Sequence, residues 1–261
     1  MKPILKIEFT YIIAYRHSED RFKNLQLVLD WLGNSPRDII IVESDRDSKL
    51  DCLKNKYRFT HTFLNNDHPF NKSWCFNVGY KLADTENIVF GDADLIMNKD
   101  IFLECVNLLN EYEVINPYRS VLDLTSEETK YYALEKKTSW LDTILRPGRG
   151  ESDNQKVPFC GGIIIFKRSC LDRIGGWIED FWGWGAEDDA QSYKVFTLET
   201  NYFQCENRSY HFHHPRPAPN SKQYLSNVNL YLQLLKLDKI RLENYIDRVK
   251  AKIGDVNKLS R

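Results

Sequence analysis

Strand-like and helix-like segments alternate through the first two thirds of this chain, and that alternation leaves few folds open. Lys6 to Tyr15 is a strand candidate rich in Ile, Phe, Tyr and Thr. A helix is predicted from Glu19 to Leu32, with Phe22, Leu25, Leu29 and Leu32 on one face, closed by Gly33-Asn34-Ser35-Pro36. Asp38 to Val42 is a short apolar run of the kind buried in a parallel sheet. Asn71 to Ala83 reads as a helix, Asn87 to Phe90 as a strand, Asp100 to Tyr112 as a helix and Pro158 to Lys167 as a strand. This rhythm predicts an α/β fold: an open, mostly parallel central sheet flanked by helices on both faces. Ligands of such sheets bind at the carboxyl ends of the strands.

Two stretches depart from the rhythm. Thr125 to Val157 is polar and charged, contains Arg146-Pro147-Gly148-Arg149-Gly150, and is predicted to be a long loop or loosely held excursion of the kind that makes lids. Three prolines between Pro215 and Pro219 close the body, and a helical tail follows, with Val228, Leu232 and Leu235, then Leu242, Ile246, Val249 and Ile253 at helical spacing. The expected division is a body over 1–215 and a tail over 216–261.

Charge separates the two parts. The chain's net charge is −1, which gives no reason to expect a nucleic-acid partner. Nine basic and four acidic residues fall between Ser221 and Arg261, a net of +5 that leaves −6 on the first 220 residues. A basic amphipathic tail suits peripheral contact with an anionic inner leaflet. It equally suits packing on the body or on a second subunit, and acids interrupting its basic face favour packing. Oligomeric state is left open. The N-terminus carries no signal peptide, and no stretch is long and apolar enough to cross a bilayer. Six scattered cysteines without a Cys-x-x-Cys pair are expected to be buried free thiols in a reducing cytoplasm.

Three motifs carry chemistry. Trp182-Gly183-Trp184-Gly185-Ala186-Glu187-Asp188-Asp189 joins two indoles to three acids. The glycines allow left-handed backbone, so the indoles can be presented at a surface. The acids fall at the start of a predicted helix, where carboxylates are favoured. An exposed aromatic face beside a carboxylate suits a sugar ring. Asn87-Ile88-Val89-Phe90-Gly91-Asp92-Ala93-Asp94 runs a strand into Asp-x-Asp; residues i and i+2 of an extended segment point the same way, so the two carboxylates are expected to converge on one side. Hard divalent cations want such oxygens. Asp45-Arg46-Asp47 also matches, but Asp92/Asp94 is preferred because Gly91 would let a ligand approach. Ser209-Tyr210-His211-Phe212-His213-His214-Pro215 holds three of the six histidines. As a strand it would pair His211 with His213; as a turn, His211 with His214.

These motifs, with Phe70-Asn71-Lys72-Ser73, Asn77-Val78-Gly79 and Gly161-Gly162 between them, stand in the order found in metal-dependent inverting glycosyltransferases of the GT-A fold. The chain most resembles the β-1,4-galactosyltransferase group, and is similar at greater distance to chondroitin-polymerase-type and polypeptide N-acetylgalactosaminyltransferase catalytic domains. The resemblance covers about Ile12 to His214. It implies a Rossmann-like GT-A domain with Mn2+ or Mg2+ held by Asp94, His211 and His214, where histidine at 211 replaces the group's methionine. It implies Asp188 as catalytic base. Ala14, Tyr15, Arg16, Glu43, Phe70, Lys72, Asp92, Gly161, Gly162, Trp184 and Glu187 would contact the UDP-sugar or the acceptor. Phe159 lies where the group senses the donor's C2 substituent.

The implied reaction moves a hexose or N-acetylhexosamine of galactose, N-acetylgalactosamine or glucose type from a UDP-sugar to a glycan hydroxyl, forming a β-linkage. The missing anchor, the Met1 start and the free thiols extend the expectation to a bacterial-type cytoplasmic enzyme, peripheral on the inner membrane face, that builds capsule or lipopolysaccharide on lipid-linked acceptors. Two alternatives are an inactive carbohydrate-binding relative and a sugar-nucleotide nucleotidylyltransferase. The second needs a Gly-rich phosphate loop, which Ala14-Tyr15-Arg16-His17-Ser18 is not.

Overall fold

The computed structural model describes residues 7–151, 156–215 and 222–259. In chain order its strands and helices are β1 (Thr10–Tyr15), α1 (Glu19–Leu32), β2 (Asp38–Asp45), β3 (Thr60–Asn65), α2 (Lys72–Leu82), β4 (Asn87–Gly91), β5 (Leu95–Met97), α3 (Lys99–Asn107), β6 (Val114–Asn116), β7 (Ser120–Asp123), α4 (Ser126–Glu135), β8 (Ile164–Lys167), α5 (Arg168–Ile174), α6 (Glu187–Thr197), β9 (Tyr202–Gln204), β10 (Arg208–His211), α7 (Lys222–Leu234) and α8 (Lys239–Val249). A seven-stranded sheet runs β3-β2-β1-β4-β8-β6-β9. Its first four strands are mutually parallel, β8 is antiparallel to both neighbours, and β9 is parallel to β6. The expected largely parallel sheet flanked by helices is present.

The two-residue period of a strand explains the layering. Tyr11 and Ile13 of β1 join Ile39, Ile41 and Val89 in one apolar cluster, with α1 and α3. Ile12 joins Ile40, Val42, Ile88 and Phe90 in a second cluster on the opposite face, with α2 and α5. Both faces of the central strands are therefore buried, as βα crossovers require. Ser18 caps α1 by accepting the Arg21 N–H, and Asn71 caps α2 by accepting the Trp74 N–H.

A three-stranded sheet, β5-β10-β7, lies at the carboxyl end of β4. β10 pairs antiparallel with β5 and parallel with β7, in a register that sets His211 opposite both Leu95 and Asp123.

Several sequence expectations need correction. The strand expected from Pro158 begins only at Ile164, because Gly161 closes a turn onto the Pro158 carbonyl and Gly162 is left-handed (φ 70°). The excursion expected over 125–157 is not loose over its described residues 125–151. Thr125 and Glu128 form a capping box on α4, Arg146 reaches Glu128 at 2.6 Å, and Arg149 pairs through its backbone with Val121. Gly91 does not clear a path for a ligand: a Cβ there would collide with the Tyr11 hydroxyl in the core.

The tail packs on the body, one of the arrangements its sequence suited. Leu234, Leu242 and Ile246 bury against Ile178, Phe181 and Ala190, and the Trp74 indole donates to the Asp255 carbonyl at 2.8 Å. Five of the six cysteines are buried and all are free, with the Cys105 and Cys205 sulfurs 3.4 Å apart. No helix among the described residues is long and apolar enough to cross a membrane.

Candidate active site

A cleft of about 480 Å³ opens at the carboxyl ends of β1 and β4. Residues from both ends of the body line it, including Ala14, Tyr15, Arg16, Phe70, Lys72, Asp92, Asp94, Gly161, Gly162, Trp184, Glu187, Asp188, His211 and His214. All but two of the sequence-predicted site residues thus meet in one place. One exception is Glu43. Its carboxylate is fully buried and already accepts from the Lys49 N–H and Ser48 hydroxyl, each at 2.8 Å, and contacts His61 at 2.9 Å. It braces the chain after β2 and does not reach the cleft. Phe159 is also absent from the cleft; it is buried against Phe196 and Tyr202, each with ring centroids at 5.2 Å.

One wall carries a cluster suited to a cation. Asp94 Oδ1 lies 3.5 Å from His211 Nε2, and Asp94 Oδ2 lies 3.1 Å from His214 Nε2. All three donor atoms fall within 4.8 Å of one another. β10 ends at His211, and beyond it the ring of His214, not that of His213, stands alongside, with centroids 5.0 Å apart. His213 is exposed. Asp123 Oδ1 stands 3.3 Å from His211 Nδ1 and fixes the ring with Nε2 toward Asp94, the outer-shell arrangement that orients metal-bound imidazoles. Burial works against the Asp94 carboxylate, yet His211 and His214 outweigh it and bring its pKa down to about 2. The hydrogen bond to Asp94 raises the pKa of His214. One carboxylate and two imidazoles, spaced as neighbouring ligands are and facing an open volume, fit a divalent transition ion.

The Asp-x-Asp pair is not extended. It forms a turn after β4, so its carboxylates diverge. Asp94 faces the histidines, whereas Asp92 Oδ1 contacts Lys72 Nζ at 3.0 Å. The look-alike pair after β2 is differently occupied: Asp45 accepts the backbone N–H of His17 and of Arg46.

Lys72, at the start of α2, gathers the opposite wall. Its Nζ lies 3.0 Å from Asp188 Oδ1, 3.2 Å from Asp188 Oδ2 and 3.9 Å from Glu187 Oε1. Burial favours the neutral amine, but Asp188, Asp92 and Glu187 outweigh it and raise the Lys72 pKa. Burial pushes the Asp188 carboxyl up; Lys72 pulls it back, Glu187 and Asp92 push with burial, and the balance lies at about 8. One cation shared among three acids leaves Asp188 ready to hold a proton near neutral pH.

The tryptophan loop divides its two indoles. Trp182 turns inward onto Trp74 and beneath the Lys258 ammonium, while Trp184 is 47% exposed at the cleft. Gly183 (φ 73°), Gly185 (φ 107°) and Ala186 (φ 70°) are all left-handed, which folds the loop sharply before α6. For Ala186 that conformation is strained. Ala186 provides no side-chain cap, Glu187 accepts the Gly185 N–H at 3.0 Å, and Asp188 is directed to Lys72.

Arg16 serves the frame. Its guanidinium donates to the carbonyls of Ser44, His68 and Asn66 at 2.7, 2.7 and 3.0 Å and lies over the Phe70 ring. Sequence reasoning missed Arg21, Tyr118, Arg149 and Gln223, which also line the cleft, and Asp123 behind His211. None stands in a motif; only the fold brings them there.

Comparison with known proteins agrees with this architecture. Residues 152–215 match the family described as the N-terminal domain of galactosyltransferase. A Drosophila melanogaster protein bearing the name polypeptide N-acetylgalactosaminyltransferase 13 is 25% identical over 219 residues, covering 74% of this chain and 39% of that protein. The structure of GalNAc-T7 with UDP, GalNAc and Mn2+ superposes with a TM-score of 0.56 at 14% identity, over 97% of this chain and 54% of the other. The catalytic domain of Drosophila β1,4-galactosyltransferase 7 with xylobiose aligns over 76% of this chain and 65% of its own, at 18% identity and a TM-score of 0.45. The fold is that of GT-A glycosyltransferases, and the chain spans about two fifths of the curated relative it matches.

Proposed function

We propose that the protein transfers a hexose or N-acetylhexosamine from a UDP-sugar to a glycan hydroxyl, with inversion, using a divalent metal. The observation that carries this reading is the placement of the Asp94–His211–His214 cluster and Asp188 on one cleft, with Lys72 and Asp92 between them. One neighbour of the same fold holds compatible ligands: the structure of GalNAc-T7 contains UDP, GalNAc and Mn2+.

Each residue has a task that its surroundings suit. Asp94, His211 and His214 would hold the ion, which when bound supplies neutralising charge to a departing diphosphate. Lys72 adds a second cation beside that charge. Phe70, backed by Arg16, offers an aromatic face for the nucleotide base. Asp188 removes the proton of the acceptor hydroxyl as the new glycosidic bond forms and the sugar–phosphate bond breaks. A single base without a covalent intermediate means one displacement, so an α-linked donor gives a β-linked product. We extend the proposal to a lipid-linked surface glycan as acceptor; the basic tail and the free thiols support that extension.

The test is a UDP-release assay with Mn2+ across UDP-glucose, UDP-galactose and their N-acetylated forms, followed by NMR of the product's anomeric proton. Acceptor-dependent release with a β-linked product is expected. An α-linked product removes Asp188 as base, and binding of glycans without any UDP release points to the inactive carbohydrate-binding alternative.

A further inference from the structure

The tail helix does more than pack on the body: Gln223, Tyr224 and Asn227 near its start touch the tryptophan loop from Trp182 to Gly185. Asn227, 2% exposed, donates its side-chain amide to the Trp182 carbonyl at 2.9 Å and toward the Trp184 carbonyl at 3.4 Å. Tyr224 stacks on the Trp184 indole, ring centroids 5.3 Å apart and planes 22° from parallel. The Tyr224 ring also lies where a side chain at Gly185 would stand, and the Gln223 stem lies where one at Gly183 would stand. Gln223 itself lines the cleft beside Trp184, Lys72 and Asp188. The loop is held from the body side too, by the Gly183 N–H donating to the Phe70 carbonyl at 2.7 Å.

We propose that α7 forms a wall of the acceptor-sugar subsite, an inference that rests on the glycosyl-transfer reading. Tyr224 and Asn227 are positioning residues: they hold the loop so that the exposed indole of Trp184 stands as a platform for a pyranose ring. Gln223, one residue away, offers an amide with donors and an acceptor to that ring's hydroxyls. An apolar face with one convergent polar group is what a pyranose needs, since its ring carbons want an apolar surface and its hydroxyls want fixed partners. Both glycines of Trp-Gly-Trp-Gly thereby acquire a second reason. Besides permitting left-handed backbone, they leave room for α7, so loop and tail are specified together.

The experiment uses the full chain and the p-nitrophenyl β-glycosides of glucose, galactose, N-acetylglucosamine and xylose as acceptor probes. Gln223→Ala and Tyr224→Ala are expected to raise the KM of the best probe about tenfold, equivalent to about 1.4 kcal/mol. The KM for UDP-sugar should rise less than the acceptor KM, and Tyr224→Phe, which keeps the stacked ring, should restore the acceptor KM. Equal loss in donor and acceptor KM, or no change in either, overturns the proposal. A second arm needs no sugar: amide hydrogen exchange across 182–186 should quicken about tenfold or more in Tyr224→Ala and Asn227→Ala, and unchanged exchange overturns the hold of α7 on the loop. A wild-type chain that releases no UDP from any donor fails the transfer reading instead, and the exchange arm still decides what α7 does.

Discussion

Asp188 shows at the scale of one residue how a site is built against stability. A carboxyl whose folded pKa lies near 8 binds its proton more tightly folded than unfolded. Stability it contributes is therefore present below the unfolded value, about 4, and is lost as pH rises toward 8. A base must be ionised to act, so catalysis runs the other way. Acceptor-dependent kcat/KM should climb between pH 6 and 9 with a midpoint near 8, read with a saturating UDP-sugar. Asp188→Asn should lower transfer at least about a hundredfold while UDP binding persists, a loss in the range that general-base removal produces. The same variant should melt at a higher temperature than wild type at pH 8, because the cost of ionising the acid is gone. A melting temperature that falls at that pH would mean that the Lys72 pairing outweighs burial.

At the scale of elements, α4 is the piece most worth perturbing. Its capping box satisfies two otherwise orphaned N–H groups, with Glu128 also gripping Arg146. Thr125→Ala should cost about 1 kcal/mol, measured as a shift in denaturant midpoint without a change in slope. The Thr-x-x-Glu signature of that box is plain in the sequence, yet the segment read as loose because its apolar residues are sparse. α1 and α2 were legible because their apolar positions recur at helical spacing between clear stop signals, and the observed bounds of α1 agree at Glu19 and Leu32. The short strands β5, β6, β7 and β9 have three or four residues each, too few for a period to declare itself. Among site residues, those in compact motifs (Asp94, Asp188, His211 and His214) were readable together with their neighbourhood. Glu43 was misplaced because a resemblance transfers position along a strand and not the partners of the carboxylate. Asp123 and Gln223 were invisible because their roles exist only once β7 and α7 are seated.

For the whole molecule, the ligand cluster ties metal to fold. Mn2+ at a hundredfold above its Kd should stabilise the chain by about 2.7 kcal/mol, seen as a higher melting temperature, and His214→Ala should abolish that shift. Chelation with EDTA should remove transfer, and added Mn2+ should restore it. The small sheet β5-β10-β7 gives this coupling a further consequence. Its pairing places His211 across from Leu95 and Asp123, so the position of this donor beside Asp94, which directly precedes Leu95, is written into strand alignment. Sliding β10 by a single residue would carry its imidazole to the far face. One-residue insertions or deletions within 208–211 should therefore silence the protein while leaving its seven-stranded sheet intact, and natural length variation should be confined to places outside that short ladder.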